Sequence, residues 1–127
     1  MKLKYIILYV ENVEKSAAFY QQAFGYPLKL VSEFGGYIEL DTGETVLAFL
    51  SRESVTEMGK HAAVPDPKQP GFEIALETDD VPAALEKAVS SGATLVQKPT
   101  EMPWGQTISY VSDIDGFMVE ICTPVGG

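Results

Sequence analysis

Two rhythms of apolar and polar positions follow one another along this chain, and the succession occurs twice. Residues 3–10 (LKYIILYV) are dense in β-branched and aromatic side chains, as a buried strand requires. At Val13 the spacing becomes helical: Val13, Ala17, Tyr20 and Phe24 share one face, Asn12 stands in the N-cap position, and Gly25 lets the chain leave the helix. The stretch YIILYVENVEKSAAFYQQAFG (residues 5–25) returns as EIALETDDVPAALEKAVSSG (residues 73–92), each copy followed by strand-like runs of similar length. Such a duplication predicts two related modules forming a cup, and a cup between similar halves is a natural ligand site.

In the first copy the helix is followed by strand-like runs at about 27–33, 36–41 and 44–51, the last two joined by Asp41-Thr42-Gly43, whose glycine suits a tight turn. Residues 52–70 hold Pro65, Pro67 and Pro70 among scattered polar side chains without a sustained period, and read as a linker. In the second copy a strand over about 72–78 leads to Asp80, the cap of a helix over 81–91 that tolerates Pro82 in its first turn and stops at Gly92. A short strand near 94–97, a loop with Met102, Pro103, Trp104 and Gly105, and a hairpin of 106–112 with 117–123 complete the pattern. Each module is expected as β-α-β-β-β. Residues 1–127 are expected as a single domain, with module one at about 1–52, the linker at about 53–70 and module two at about 71–127.

A chain of 127 residues is the size of one domain, and its 46% hydrophobic and 21% charged content is that of an ordinary folded protein. Nine basic residues against 18 acidic ones leave a formal charge of −9, which repels phosphate backbones and argues against a nucleic-acid partner. The same charge favours solubility and steers cationic small molecules. Cys122 is the one cysteine, so no intramolecular disulfide forms, and the N-terminal apolar run is interrupted by Glu11 and Asn12 too early for a signal peptide. With no run approaching the roughly 18 apolar residues of a membrane span, a cytoplasmic protein without a membrane partner is expected.

The element order taken twice, together with FEIALETDDV and WGQTISYVSDIDGFMVEI, resembles the vicinal oxygen chelate superfamily of glyoxalases, bleomycin-resistance proteins and extradiol dioxygenases. The similarity spans essentially the whole chain. Asn12-Val13 through Phe19-Tyr20 and Gly25 echo the family's first module, and the stretch from Trp104-Gly105 to Glu120 echoes its last hairpin. Asp115-Gly116 keeps the family's turn, while Ile114 and Phe117 replace the Pro and Asn common beside it. The resemblance implies an α+β fold in which two tandem βαβββ modules form a curved eight-stranded mixed sheet around a cavity, helices outside, and often a homodimer. It does not by itself name a reaction.

Metal-dependent members hold a divalent ion with His, Glu or Gln at the start of the first strand, the end of the fourth, the start of the fifth and near the end of the eighth. Those places carry Tyr5, Ala48 (or Leu47, one register away), Glu73 and Glu120, so only two glutamates are able to ligate. Zinc and iron sites use three or more protein ligands with imidazole among them. The single histidine, His61, falls in the linker. The expectation is therefore no metal and no cofactor, although two carboxylates with water are chemically able to hold Mg or Mn. If both acids face the cup, their repulsion raises one pKa and makes an acid or base of it. A rim ion pair or a solvent-facing register are the competing readings, and the alternation Val119-Glu120-Ile121 admits cavity and water alike.

Alternation puts Tyr5, Ile7 and Tyr9 on one face of the first strand and Glu73, Ala75 and Glu77 on the matching face of the fifth. If the family geometry transfers, Tyr5 lines the pocket. Phe34, Tyr37, Phe49, Trp104 and Tyr110 supply further flat surfaces, some with polar tips, with core packing or a dimer contact as the alternative role for each. The ligand-binding set is thus Tyr5, Tyr37, Phe49, Glu73, Trp104, Tyr110 and Glu120. No phosphate loop, nucleophile elbow or Cys-His pairing is present. The resulting expectation is a metal-free small-molecule-binding protein of the glyoxalase/bleomycin-resistance type that sequesters an aromatic or cationic compound. The alternative is a lyase, isomerase or dioxygenase using Glu73 and Glu120 as metal ligands or as an acid/base pair.

Overall fold

The computed structural model describes residues 1–126. Its elements are β1 (Tyr5–Val10), α1 (Val13–Phe24), β2 (Leu28–Val31), β3 (Tyr37–Leu40), β4 (Val46–Ser51), α2 (Arg52–Glu57), β5 (Glu73–Glu77), α3 (Val81–Ser90), β6 (Thr94–Glu101), β7 (Thr107–Ser112) and β8 (Met118–Cys122). The strands form two four-stranded mixed sheets, ordered β1-β4-β3-β2 and β5-β8-β7-β6. In each, the first strand runs parallel to the last and the other pairs are antiparallel. This is the α+β arrangement of two βαβββ modules that the duplicated pattern predicts. The chain divides into compact units at Val64 and Pro65, a boundary inside the stretch expected as linker.

Both long helices begin and end where their capping residues stand. Asn12 Oδ1 accepts the Lys15 N–H at 3.0 Å, and Gly25, at φ 78°, donates its N–H to the Gln21 carbonyl at 2.9 Å. Asp80 Oδ1 accepts the Ala83 N–H at 3.1 Å at the head of α3. The apolar stripe of α1 packs on β3 and β4: Tyr20 and Phe49 are fully buried, with ring centroids 5.3 Å apart. In the second unit Val81 and Ala88 of α3 lie under the same kind of cover, above Val111, Val119 and Ile121 of β7 and β8. Each sheet therefore spends one face on its helix and leaves the other for chemistry.

Two elements differ from expectation. The chain folds into α2 immediately after β4, capped by Ser51 Oγ on the Ser54 N–H at 3.1 Å and anchored by buried Val55. A helix of six residues is too short to print a period, so the pattern showed only polar scatter. β6 continues to Glu101, past Pro99, because it is an edge strand with two register shifts against β7, and a proline there removes no ladder bond that the sheet needs. The β7–β8 turn is held by Asp113 Oδ1, which accepts the N–H groups of Asp115 and Phe117, each at 2.9 Å. No helix among the described residues is long and apolar enough to cross a membrane.

Candidate functional site

The ladder registers fix which residues correspond between the units. Ala48 of β4 lies beside Ile7, two residues after Tyr5, just as Glu120 of β8 lies beside Ala75, two residues after Glu73. Tyr5 thus answers to Glu73 and Ala48 to Glu120, which resolves the one-residue ambiguity at Ala48. On the next strand Glu39 pairs with Ala48 and Tyr110 with Glu120. The helix-free faces therefore carry Tyr5, Ala48 and Glu39 in one unit and Glu73, Glu120 and Tyr110 in the other.

In the second unit the three side chains converge. The Tyr110 hydroxyl lies 3.2 Å from Glu120 Oε2 and 3.4 Å from both carboxylate oxygens of Glu73, so one O–H is shared loosely among acids on two strands. Glu73 has its pKa raised, first by its hydrogen bond with Glu120, then by burial and by the charge of Glu120, with the Tyr110 bond working in the opposite sense. The two carboxyls form a proton-sharing pair. Burial and the two neighbouring carboxylates push the Tyr110 phenol up to about 12. Cys122, on the same face, is buried and has its thiol pKa raised by burial and then by Glu120. A thiol held protonated in this way is a poor nucleophile.

The first unit reverses the roles. The Tyr37 hydroxyl donates to Glu39 Oε2 at 2.7 Å, and Glu39 is only 9% exposed. The Tyr37 phenol is pushed above its ordinary value by burial, by its bond to Glu39 and by the charges of Glu39 and Tyr5. Tyr5, at 47% exposure, is the open ring of this group. Glu39 was not identified from sequence, where it stood as one polar residue between Ile38 and Leu40. The signal was present in alternation: Tyr37 and Glu39, two apart, share a face that Ile38 and Leu40 do not.

The remaining sequence-derived candidates separate. Phe49 points to the helix side of β4, opposite Ala48, and belongs to the core with Tyr20. Trp104 is half exposed at the β6–β7 turn. Its indole N–H donates to Gln106 Oε1 at 2.8 Å, and Gln106 Nε2 donates to the Thr123 carbonyl at 2.8 Å. That chain of bonds stiffens the ring and commits its polar edge to Gln106. Phe34 projects from the β2–β3 turn at 91% exposure, and His61 is exposed in the segment after α2.

The donor chemistry does not suit zinc or iron. By register Ala48 brings a methyl group to the position matching Glu120, Tyr5 brings a phenol to the position matching Glu73, and the two glutamates are engaged with each other and with Tyr110. Among the described residues no group of three or more His, Cys, Asp or Glu is placed to hold a metal ion.

Comparison with known proteins matches residues 3–126 to the family model described as a glyoxalase-like domain. The chain is 31% identical to a protein named lactoylglutathione lyase from Neisseria meningitidis, with all of this chain and 94% of that protein aligned. It is 27% identical to the uncharacterised protein YraH of Bacillus subtilis, over 95% of this chain and 97% of the relative. A glyoxalase/bleomycin resistance protein/dioxygenase family enzyme from Burkholderia phytofirmans superposes with a TM-score of 0.84 at 22% identity, covering 97% of this chain and 98% of that one.

Proposed function

Starting from a chain that belongs to the glyoxalase-like domain family, within the vicinal oxygen chelate superfamily, we propose that it is a metal-free small-molecule-binding protein that sequesters an aromatic or cationic compound. The observation that carries this reading is the state of the two remaining acids. Glu73 and Glu120 are hydrogen-bonded to each other and share the Tyr110 phenol, an arrangement suited to accepting hydrogen bonds from a ligand. Trp104, about half exposed in the same unit, offers flat apolar surface to the rest of such a molecule. The reading includes a cytoplasmic homodimer with no nucleic-acid or membrane partner.

Calorimetric titration with zinc, nickel, manganese and magnesium, beside a panel of small aromatic and cationic compounds, tests it. The expected result is saturable uptake of organic compounds and no tight stoichiometric metal binding. Metal uptake that disappears in Glu73→Gln or Glu120→Gln overturns it.

One observation favours a second reading. A carboxyl whose pKa is raised by a second carboxyl beside it is a general acid waiting for a substrate, and the meningococcal relatives are named for a lyase activity. In that case lactoylglutathione lyase turnover, or another lyase, isomerase or dioxygenase reaction, is measurable in the wild type. It is abolished by Glu73→Gln or Glu120→Gln with ligand affinity retained.

A further inference from the structure

Trp104, the one tryptophan of the chain, stands at the β6–β7 turn and is 57% exposed. A side chain so open to solvent ordinarily turns among its rotamers. Here the turn beneath it is closed twice. The Gly105 N–H donates to the Met102 carbonyl at 2.9 Å, and the Met102 N–H donates to the Gln106 carbonyl at 2.8 Å. Gly105, at φ 92°, supplies the left-handed step that this closure needs. Thr107 and Thr123 tie the hairpin to the end of β8, the Thr107 N–H on Thr123 Oγ1 at 2.9 Å and the Thr123 N–H on the Thr107 carbonyl at 3.0 Å. All of these residues belong to the second unit.

The half-buried side chain of Gln106 joins the ring to that frame. Its Oε1 accepts the indole N–H and its Nε2 donates to the Thr123 carbonyl, each at 2.8 Å. An indole N–H only donates and a carbonyl only accepts, so the amide fits in one orientation. Reversed, it would set N–H against N–H and oxygen against oxygen. The indole keeps no polar atom for a ligand, and among the described residues neither an aromatic ring nor a cationic side chain packs on its face. What remains is a fixed flat surface whose face attracts cations, on a protein of charge −9.

We infer that Gln106 is a positioning residue that holds Trp104 as a stacking platform, and that the ligand it serves is a planar aromatic monocation bound through the face of its ring. This rests on the small-molecule-binding reading above and deepens it, since the indole recognises the ligand by flatness and charge and makes no hydrogen bond to it. The gain in affinity comes from order present before binding: a ring already fixed loses no rotamer freedom when the ligand stacks.

The N-methylquinolinium ion and its saturated counterpart, N,N-dimethyldecahydroquinolinium, carry the same charge and differ in the flat ring. Both are titrated calorimetrically into the full chain. The wild type is expected to bind the flat ion more tightly, and Trp104→Ala to remove that preference. Gln106→Leu should lower the tryptophan fluorescence anisotropy, which reports on Trp104 alone, and weaken the flat ion by about two- to tenfold, the cost of ordering one side chain, with the saturated ion unchanged. Gln106→Glu adds a rescue that a merely structural role would not show. Ionised near about pH 7, its carboxylate opposes the Thr123 carbonyl; protonated near about pH 4, the acid donates to that carbonyl and still accepts the indole N–H. Measured against the wild type at each pH, its anisotropy and its affinity for the flat ion should be low at the upper value and recover at the lower. Unchanged anisotropy in Gln106→Leu overturns the inference, as do equal weakening of both ions, a preference that survives Trp104→Ala, and a Gln106→Glu variant indifferent to pH. Should Gln106→Leu fail to fold, Gln106→Glu decides alone. Wild-type binding of other compounds in the panel with no preference for the flat ion removes this inference alone, whereas binding of none removes the reading beneath it as well.

Discussion

Glu73 shows how a residue acquires chemistry from its neighbours. Its carboxyl keeps a proton to higher pH than an isolated glutamic acid because Glu120 accepts that proton in a hydrogen bond and repels a second negative charge. In the unfolded chain this help is absent, so the native state binds more protons. The stabilisation is complete below the ordinary carboxyl value and is lost as pH rises through the raised value in the fold. Glu73→Gln makes the neutral form permanent. Urea unfolding midpoints of variant and wild type should therefore converge near about pH 4 and separate towards about pH 7, where the variant is the more stable. A constant difference across that range would contradict the shared proton.

Glu73 and Glu120 became candidates through the family resemblance, which implies ligand places at the start of the fifth strand and near the end of the eighth. Their contact with Tyr110 was not legible, because β5 and β7 meet only through β8, and that neighbourhood is a property of strand order. Glu39 escaped for the same reason: nothing in Ile38-Glu39-Leu40 tells whether the acid meets water or an apolar floor. Phe49, whose two roles stayed open, shows the converse, since an aromatic residue in a strand looks alike whichever side of the sheet it takes.

Among the elements, those with marked ends were the readable ones. α1 begins after Asn12 and ends at Gly25, and α3 begins after Asp80, because a side-chain acceptor at one end and a left-handed glycine or small polar turn at the other satisfy orphan backbone groups locally. α2 and the second half of β6 depend on what lies beside them, a pocket for Val55 and an edge that excuses Pro99. The turn between β7 and β8 combines both kinds of cause. Gly116 sits at φ 101°, and a Cβ there would approach the Pro65 carbonyl oxygen to 2.9 Å. Gly116→Ala is accordingly expected to cost about 1–3 kcal/mol, read as a lower urea midpoint, from backbone strain before any adjustment of the Pro65 segment. An unchanged midpoint would show that the turn relaxes freely.

At the scale of the whole molecule the dominant fact is a charge of −9 on 127 residues. Self-repulsion of this size weakens the folded state at low ionic strength, and it is screened over about 10 Å at 0.1 M salt. The melting temperature should therefore rise between about 0.01 M and about 0.3 M sodium chloride. A fall over that range would mean that attractive ion pairs outweigh the net charge.

Sequence by itself determined the two βαβββ modules and the caps of both long helices, because periodicity and capping are local and are written in neighbouring residues. Tertiary structure decided which side chains meet. It set Tyr110 between two acids, turned Phe49 into the core, and buried Glu39 beside the Tyr37 hydroxyl, since sheet order and register bring together residues that the chain keeps far apart.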